Sequence, residues 1–395
     1  MSAAIRILSY LQDRRDEMVN FLERLANVES PSEDGATHAP AFAVFAEALW
    51  DLDFVTRELP GRNSGGQLYA RPRERRRGQP LQLLIGHIDT VWPQGTLKKM
   101  PVRLEQGQLR GPGVYDMKGG LTQLIFALEA LRVLGLAASV LPLVFVNSDE
   151  ETGSAESTVW IGRLARIANR AYVLEPSLGR EGRLKTARKG IGRFTATIRD
   201  QQAHAGAGAA TAVNTILELS HQVQCLFALN DPLAGVTVNV TMIDSGLGPG
   251  GGVSESRCGI EVRVPTREAA RRIDSCLRAL APLKPGMHLR VTGGFERPPM
   301  ERTEAGTALW EVAHAIGLEL GMDLQQAAAG GSSDGNTTSQ YTATLDGLGA
   351  VGDGAHAHHE FLFVDRLVER AALLALLILA PPIETLNCPE LTSVS

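Results

Sequence analysis

An α/β fold, with a helix-covered and mostly parallel sheet interrupted by a second βαββαβ unit, is what this chain predicts. Three observations point to it. Residues 81–89, 141–147 and 171–175 are short apolar runs with little alternation, as strands buried on both faces should be. Between the first two, residues 117–134 place Leu121, Leu124, Ile125, Leu128 and Leu131 at helical spacing, giving a strand–helix–strand unit. Further on, residues 190–200, 235–244, 258–264 and 288–294 read as strands, while 212–227 and 268–280 read as helices. Their order is β-α-β-β-α-β, the ferredoxin-like arrangement.

The pattern sets the domain boundaries. A first part of the α/β domain spans 1–186, the ferredoxin-like insert 187–297, and the α/β domain resumes over 298–395. Helices are expected at 305–320 and 365–379 in this last part. The N-terminal stretch is broken by Asp13, Arg14, Arg15, Asp16 and Glu17, so it reads as an amphipathic helix and not as a secretory signal. The longest apolar run, 371–380, is about half of what a bilayer span needs. A cytoplasmic protein with no membrane contact is expected.

Composition narrows the function. With 395 residues, 44% hydrophobic and 21% charged, the chain is long enough for two globular cores. A net charge of −5 leaves no broad basic footprint, so nucleic acid is not an expected partner. The arginine-rich stretch 71–77 reads as a solvated loop. Cys225, Cys258, Cys276 and Cys388 have no paired metal spacing and read as reduced thiols.

The chemistry gathers at strand ends, where α/β sheets collect their ligands. His87 and Asp89 lie two apart at the end of the first apolar run, so both side chains should project to one face. Asp116 ends the glycine-rich GPGVYD, and Glu150 and Glu151 leave the second apolar run together. Adjacent side chains point apart, so one glutamate can hold a metal while the other faces substrate as a base. Glu175 closes the third run. Beyond a glycine-rich stretch, HAHHE offers His356, His358 and His359, between which local spacing does not choose. Taken singly, each is equally a polar strand end or a helix cap. Together they are the oxygen and nitrogen donors that divalent metals take, and a shared carboxylate can seat two ions side by side.

These segments resemble a known family. GHIDTV (86–91), GPGVYDMKGG (111–120), NSDEETGS (147–154), LEPS (174–177), the AHAG-containing stretch 201–219, GGSSDGN (330–336) and the region 345–360 occur in family order. The chain is similar to the di-zinc metallopeptidases and amidohydrolases that include glutamate carboxypeptidase, aminoacylase-1, acetylornithine deacetylase and succinyl-diaminopimelate desuccinylase, with the carboxypeptidase-like branch nearest. The resemblance implies two Zn2+ per subunit, replaceable by Co2+ or Mn2+. His87, Asp116 and Glu175 would hold one ion, and Asp116, Glu151 and His356 the other. Asp89 would orient His87, and Glu150 would act as general base and later as proton donor.

It further implies that the insert forms a homodimer and that His204 reaches the neighbouring subunit's site to stabilise an oxyanion. Arg263 would hold a substrate carboxylate, with Arg183 as a second basic contact. The expected substrate is a small peptide, such as one ending in Glu, or an N-acyl amino acid, cleaved at an amide by a metal-activated water. One departure stands out: Gly250 occupies the place where relatives carry an asparagine. A non-catalytic binding protein on the same scaffold, or a metallophosphatase, are the alternatives. The absence of a GxSxG elbow in GGSSDGN gives no competing serine nucleophile.

Overall fold

In the computed structural model, residues 2–200, 215–247 and 253–383 are described. The chain divides into two compact units. One comprises the described residues of Met1–Thr186, Arg302–Ala329 and Ser333–Ser395; the other comprises those of Ala187–Glu301 with Gly330–Ser332.

The first unit is built on a six-stranded sheet. In spatial order its strands are Phe54–Leu59, Gln67–Pro72, Leu141–Asn147, Leu81–His87, Ala168–Val173 and Ala343–Leu345. The last four pair in parallel, as the unbroken apolar runs predict, and Leu141–Asn147 is buried at every position. The first two strands were not anticipated. They form an antiparallel ribbon on one edge, and Phe54–Leu59 (FVTREL) is too polar and too exposed to announce itself by an apolar run.

Helices cover the sheet. Gly119–Val133 is the crossover helix, buried along nearly its whole length. Val364–Leu379 packs against it and is buried almost all round, which explains why its sequence is apolar without a polar face. The C-terminal end of that helix is satisfied from inside. Buried Arg170 donates to the carbonyls of Leu377, Ala380 and Pro381, so the helix ends on a cation as its dipole favours. The N-terminal segment forms two helices, Ala3–Asp13 and Arg15–Ala26, joined at Arg14, where one was expected. Among the described residues, no helix is long and apolar enough to cross a membrane.

The second unit is an antiparallel four-stranded sheet with the strand order Thr237–Leu247, Val253–Val264, Gly190–Asp200, Met287–Arg297. With helices Thr215–Phe227 and Arg267–Arg278 between them, this is the expected βαββαβ topology. Its own core, including Phe194, Ile198, Leu226, Ile260, Ile273 and Leu277, lies between sheet and helices.

One glycine decides how the first unit closes around its strand ends. A Cβ on Gly120 would stand 2.1 Å from the Leu174 carbonyl oxygen, so only glycine lets the crossover helix start this close to the residue preceding Glu175. Gly120→Ala is expected to lower stability by about 3 kcal/mol, at the upper end for overpacking, as read by urea unfolding. An unchanged midpoint would show that the helix start can move away.

Candidate metal centre

The parallel strands deliver their C-terminal ends to one place. Leu81–His87 ends on His87, and the Asp89 side chain returns beneath it; Leu141–Asn147 leads into Glu150 and Glu151; Ala168–Val173 leads into Glu175. The fourth contribution comes from the turn before the crossover helix. There Gly113 has φ +72°, Asp116 is extended (φ −114°, ψ 99°), and the Asp116–Met117 peptide is cis. Gly86 leaves room for this turn, since a Cβ there would meet Met117 Cε at 2.7 Å.

The donors converge tightly. His87 Nε2 lies 3.3 Å from Asp116 Oδ1 and 3.5 Å from Glu175 Oε1. His356 Nε2 lies 3.3 Å from Asp116 Oδ2 and 3.1 Å from both oxygens of Glu151. Asp116 thus presents one oxygen to each histidine. His87, Glu150 and Glu175 form one cluster, and His87, Asp116 and Glu151 another, each with donor atoms within 4.8 Å of one another. His87 is common to both clusters, and Asp116 links His87 to His356 through its two oxygens.

The spacing fits metal better than hydrogen bonds. His87 Nε2 and Asp116 Oδ1 are buried, yet among the described residues neither makes a hydrogen bond, although they face each other. A separation near 3.4 Å is instead about the edge of a tetrahedron with bonds of ~2.1 Å, the length of zinc–nitrogen and zinc–oxygen contacts. Charge gives the same answer. Asp89, Asp116, Glu150, Glu151 and Glu175 are gathered with two imidazoles, and the nearby Lys185 ammonium is 4.0 Å from Glu175 Oε2. So many buried carboxylates are costly without further positive charge.

Without metal, protons take that role. Burial alone would lower the His87 pKa, but the carboxylates of Asp116, Asp89 and Glu175 outweigh it and raise it well above its ordinary value. His356 is raised to about 11 by Asp116 and Glu151. Burial and the charge of Asp116 push Glu151 up to about 7, whereas Asp116 itself, despite burial, is held far down by His356 and His87. Metal must displace the histidine protons, so its affinity should keep rising with pH up to about 11, where His356 loses its proton. Proton release measured by calorimetry in buffers of different ionisation enthalpy checks this, and a pH-independent affinity would contradict it.

Around the donors sits a supporting layer. The His87 Nδ1 lies 3.0 Å from the Asp89 main-chain oxygen and 3.3 Å from its carboxylate, which fixes the ring with Nε2 facing the cluster. Asp89 Oδ2 accepts from Ser32 Oγ and from the Glu151 N–H. Sequence reasoning missed Ser32, which lies far away in the chain. It also missed buried Arg370, whose guanidinium donates to the carbonyls of Gly182, Gly347 and Gly349 beside the Glu175 segment. Glu360 was missed too, although it stands only four residues after His356.

Of the three histidines in HAHHE, the structure brings His356 to the cluster. Its backbone sits in the left-handed region (φ +59°), uncommon for a residue with a Cβ. His358 instead lies against the Trp92 ring, with centroids 5.3 Å apart. Other expected site residues are described by their own contacts. Arg183 pairs with Glu181 at 3.7 Å. Arg263 belongs to the second unit, where it donates to Glu261 and to the Gly330 carbonyl. His204 and Gly250 lie outside the described residues.

A mixed α/β sheet with paired acid–histidine clusters at its strand ends, carrying a separate antiparallel domain, defines a dinuclear metal-dependent hydrolase. The chain belongs to peptidase family M20/M25/M40, whose family model matches residues 83–380. It is 27% identical to carboxypeptidase G2 of Pseudomonas sp. (strain RS-16) over 378 residues, covering 93% of this chain and 90% of that protein. Succinyl-diaminopimelate desuccinylase 2 of Shewanella loihica (strain ATCC BAA-1088 / PV-4) is 27% identical over 314 residues, covering 73% and 82% respectively. Among solved structures, a tripeptidase from Staphylococcus aureus subsp. aureus mu50 superposes with a TM-score of 0.74 at 17% identity, covering 92% of this chain and 97% of that one.

Proposed function

We propose that this protein cleaves an amide bond next to a carboxylate-bearing amino acid, either a C-terminal residue such as Glu in a small peptide or the amino acid of an N-acyl conjugate. The observation that carries the reading is Asp116, with one oxygen toward His87 and the other toward His356. On this reading His87, Asp116 and Glu175 hold one zinc ion and Asp116, Glu151 and His356 the second, with cobalt or manganese as substitutes. When bound, two such ions lower the pKa of a shared water and polarise the substrate carbonyl.

The remaining steps belong to the protein. Glu150 is buried and within reach of both His87 and Glu175, so it can take a proton from the attacking water and return it to the leaving amine. Asp89 keeps the His87 ring in place. Arg263 binds the substrate carboxylate, with Arg183 as a weaker second contact. The names of the relatives support the substrate class, since a carboxypeptidase and a desuccinylase both describe cleavage beside an amino acid.

The second unit makes a homodimer on this reading, and His204 serves the partner's site as an oxyanion donor. Two features of the unit support a pairing surface. Strand Thr237–Leu247 is a sheet edge that exposes Met242 and Ile243, and the helix Thr215–Phe227 exposes Ile216 and Leu217. Ile243→Lys should therefore yield a metal-loaded monomer on gel filtration whose turnover falls by about 10²–10³-fold, the effect of losing one oxyanion donor. A monomer with full turnover would show that His204 does not act from the partner subunit.

The function itself is tested by a hydrolysis screen of the zinc-loaded protein. N-acyl amino acids and peptides with C-terminal glutamate should be cleaved and phosphate esters left intact. Cleavage of phosphate esters alone, or metal binding with no turnover, would replace the reading.

A further inference from the structure

We propose that Glu360 is the positioning residue of the metal centre, locking the turn that carries Asp116 to the loop that carries His356; this rests on the metallohydrolase reading above. Glu360 is 1% exposed. Its Oε1 accepts from the N–H groups of Tyr115 (2.9 Å) and Asp116 (3.1 Å), and its Oε2 from the Gly113 N–H (3.0 Å) and the Trp92 indole (2.9 Å). Three of these donors are main-chain groups of one short turn. That turn departs from helical geometry at Asp116 and Met117, so no regular ladder satisfies its N–H groups. They converge instead on a single carboxylate, as backbone N–H groups do around an anion in a nest.

The chemistry of this contact is specific to a carboxylate. Four donors meet two oxygens, which together have about four lone-pair sites. A glutamine would offer one acceptor oxygen and set an amide N–H2 against the other two donors. Because both oxygens are engaged, Glu360 is placed to act as neither ligand nor base. What it determines is where the Asp116 backbone starts. It follows His356 by only four positions, and the Glu360 carbonyl also accepts from the Gly111 N–H (3.3 Å), so the two loops are tied on both sides of the turn. Trp92 extends the lock toward the segment after Asp89, since its indole donates to Glu360 while its ring lies against His358. Asp116 and His356 approach within 3.3 Å across this junction, and a change in Glu360 should reach the metals through their geometry.

The test uses full-length protein and cobalt as the probe. Wild type, Glu360→Gln and Glu360→Asp are compared for cobalt affinity and stoichiometry, the visible spectrum of bound cobalt, and kcat and KM after zinc loading. Glu360→Gln should weaken cobalt binding by about 10–100-fold, the usual consequence of losing a group that orients metal ligands, and should shift the spectrum. Its kcat should fall while KM changes by less than about threefold. Glu360→Asp, which keeps both acceptors on a shorter arm, should fall between it and wild type. A folded Glu360→Gln with wild-type cobalt affinity and spectrum overturns the proposal, whatever its turnover, because any loss would then act on substrate directly. If Glu360→Gln does not fold, Glu360→Asp decides: wild-type binding and spectrum in that variant overturn the proposal. Failure of wild type itself to bind cobalt would instead overturn the metallohydrolase reading, and this inference with it.

Discussion

Replacing Glu150 by glutamine should leave two metal equivalents bound and cut kcat by roughly 10²–10⁴-fold, the range for removing a general base. The reason is division of labour between neighbours. Glu151 faces His356 at 3.1 Å and sits in the cluster with His87 and Asp116, whereas Glu150 approaches from the side of His87 and Glu175. The amide is nearly isosteric, so the buried site should keep its shape while losing the group that moves the proton. Metal analysis by mass spectrometry, alongside kcat, checks both halves. Loss of one metal equivalent in Glu150→Gln would make Glu150 a ligand, and retention of both in Glu151→Gln would complete the exchange of roles.

Asp116→Ala should have the widest effect on metal binding, weakening both sites by more than about 100-fold, beyond what is typical of losing only an orienting group. Each of its oxygens faces a different histidine, so its truncation removes a donor from both sides. His356→Ala should empty mainly the Glu151 side, because His87 and Glu175 remain together on the other. Competition with a chromophoric chelator resolves the two affinities. Equal losses in the two variants would show that the sites fill only as a pair. A weak effect in Asp116→Ala would show that the ions do not share this carboxylate.

The parts legible in the sequence are those that repeat a local rule. Buried parallel strands announce themselves by unbroken apolar runs, and polar residues at their ends follow from where such sheets present their C-terminal edges. His87, Glu151 and Glu175 are legible for this reason, and the structure brings them together with Asp116. Three things were not. The antiparallel edge ribbon is half-exposed and charged, so no run marks it. The choice of His356 over His358 and His359 was open to family resemblance but not to local spacing, because it depends on how the loop enters the site, with a left-handed residue at its turn. In the supporting layer Ser32 reaches the Asp89 carboxylate and Glu360 and Arg370 bind main-chain groups, all far away in sequence, and a residue that binds backbone leaves no motif at its target.

The account's central claim is that one carboxylate-bridged pair of metal ions drives amide cleavage. It is tested most directly by titrating metal-free protein with zinc while following bound metal and hydrolysis of an N-acyl glutamate together. Two equivalents should bind per chain, and activity should appear with them and vanish when a chelator removes them. Binding of fewer than two equivalents at saturation, or hydrolysis that does not follow occupancy, would contradict it.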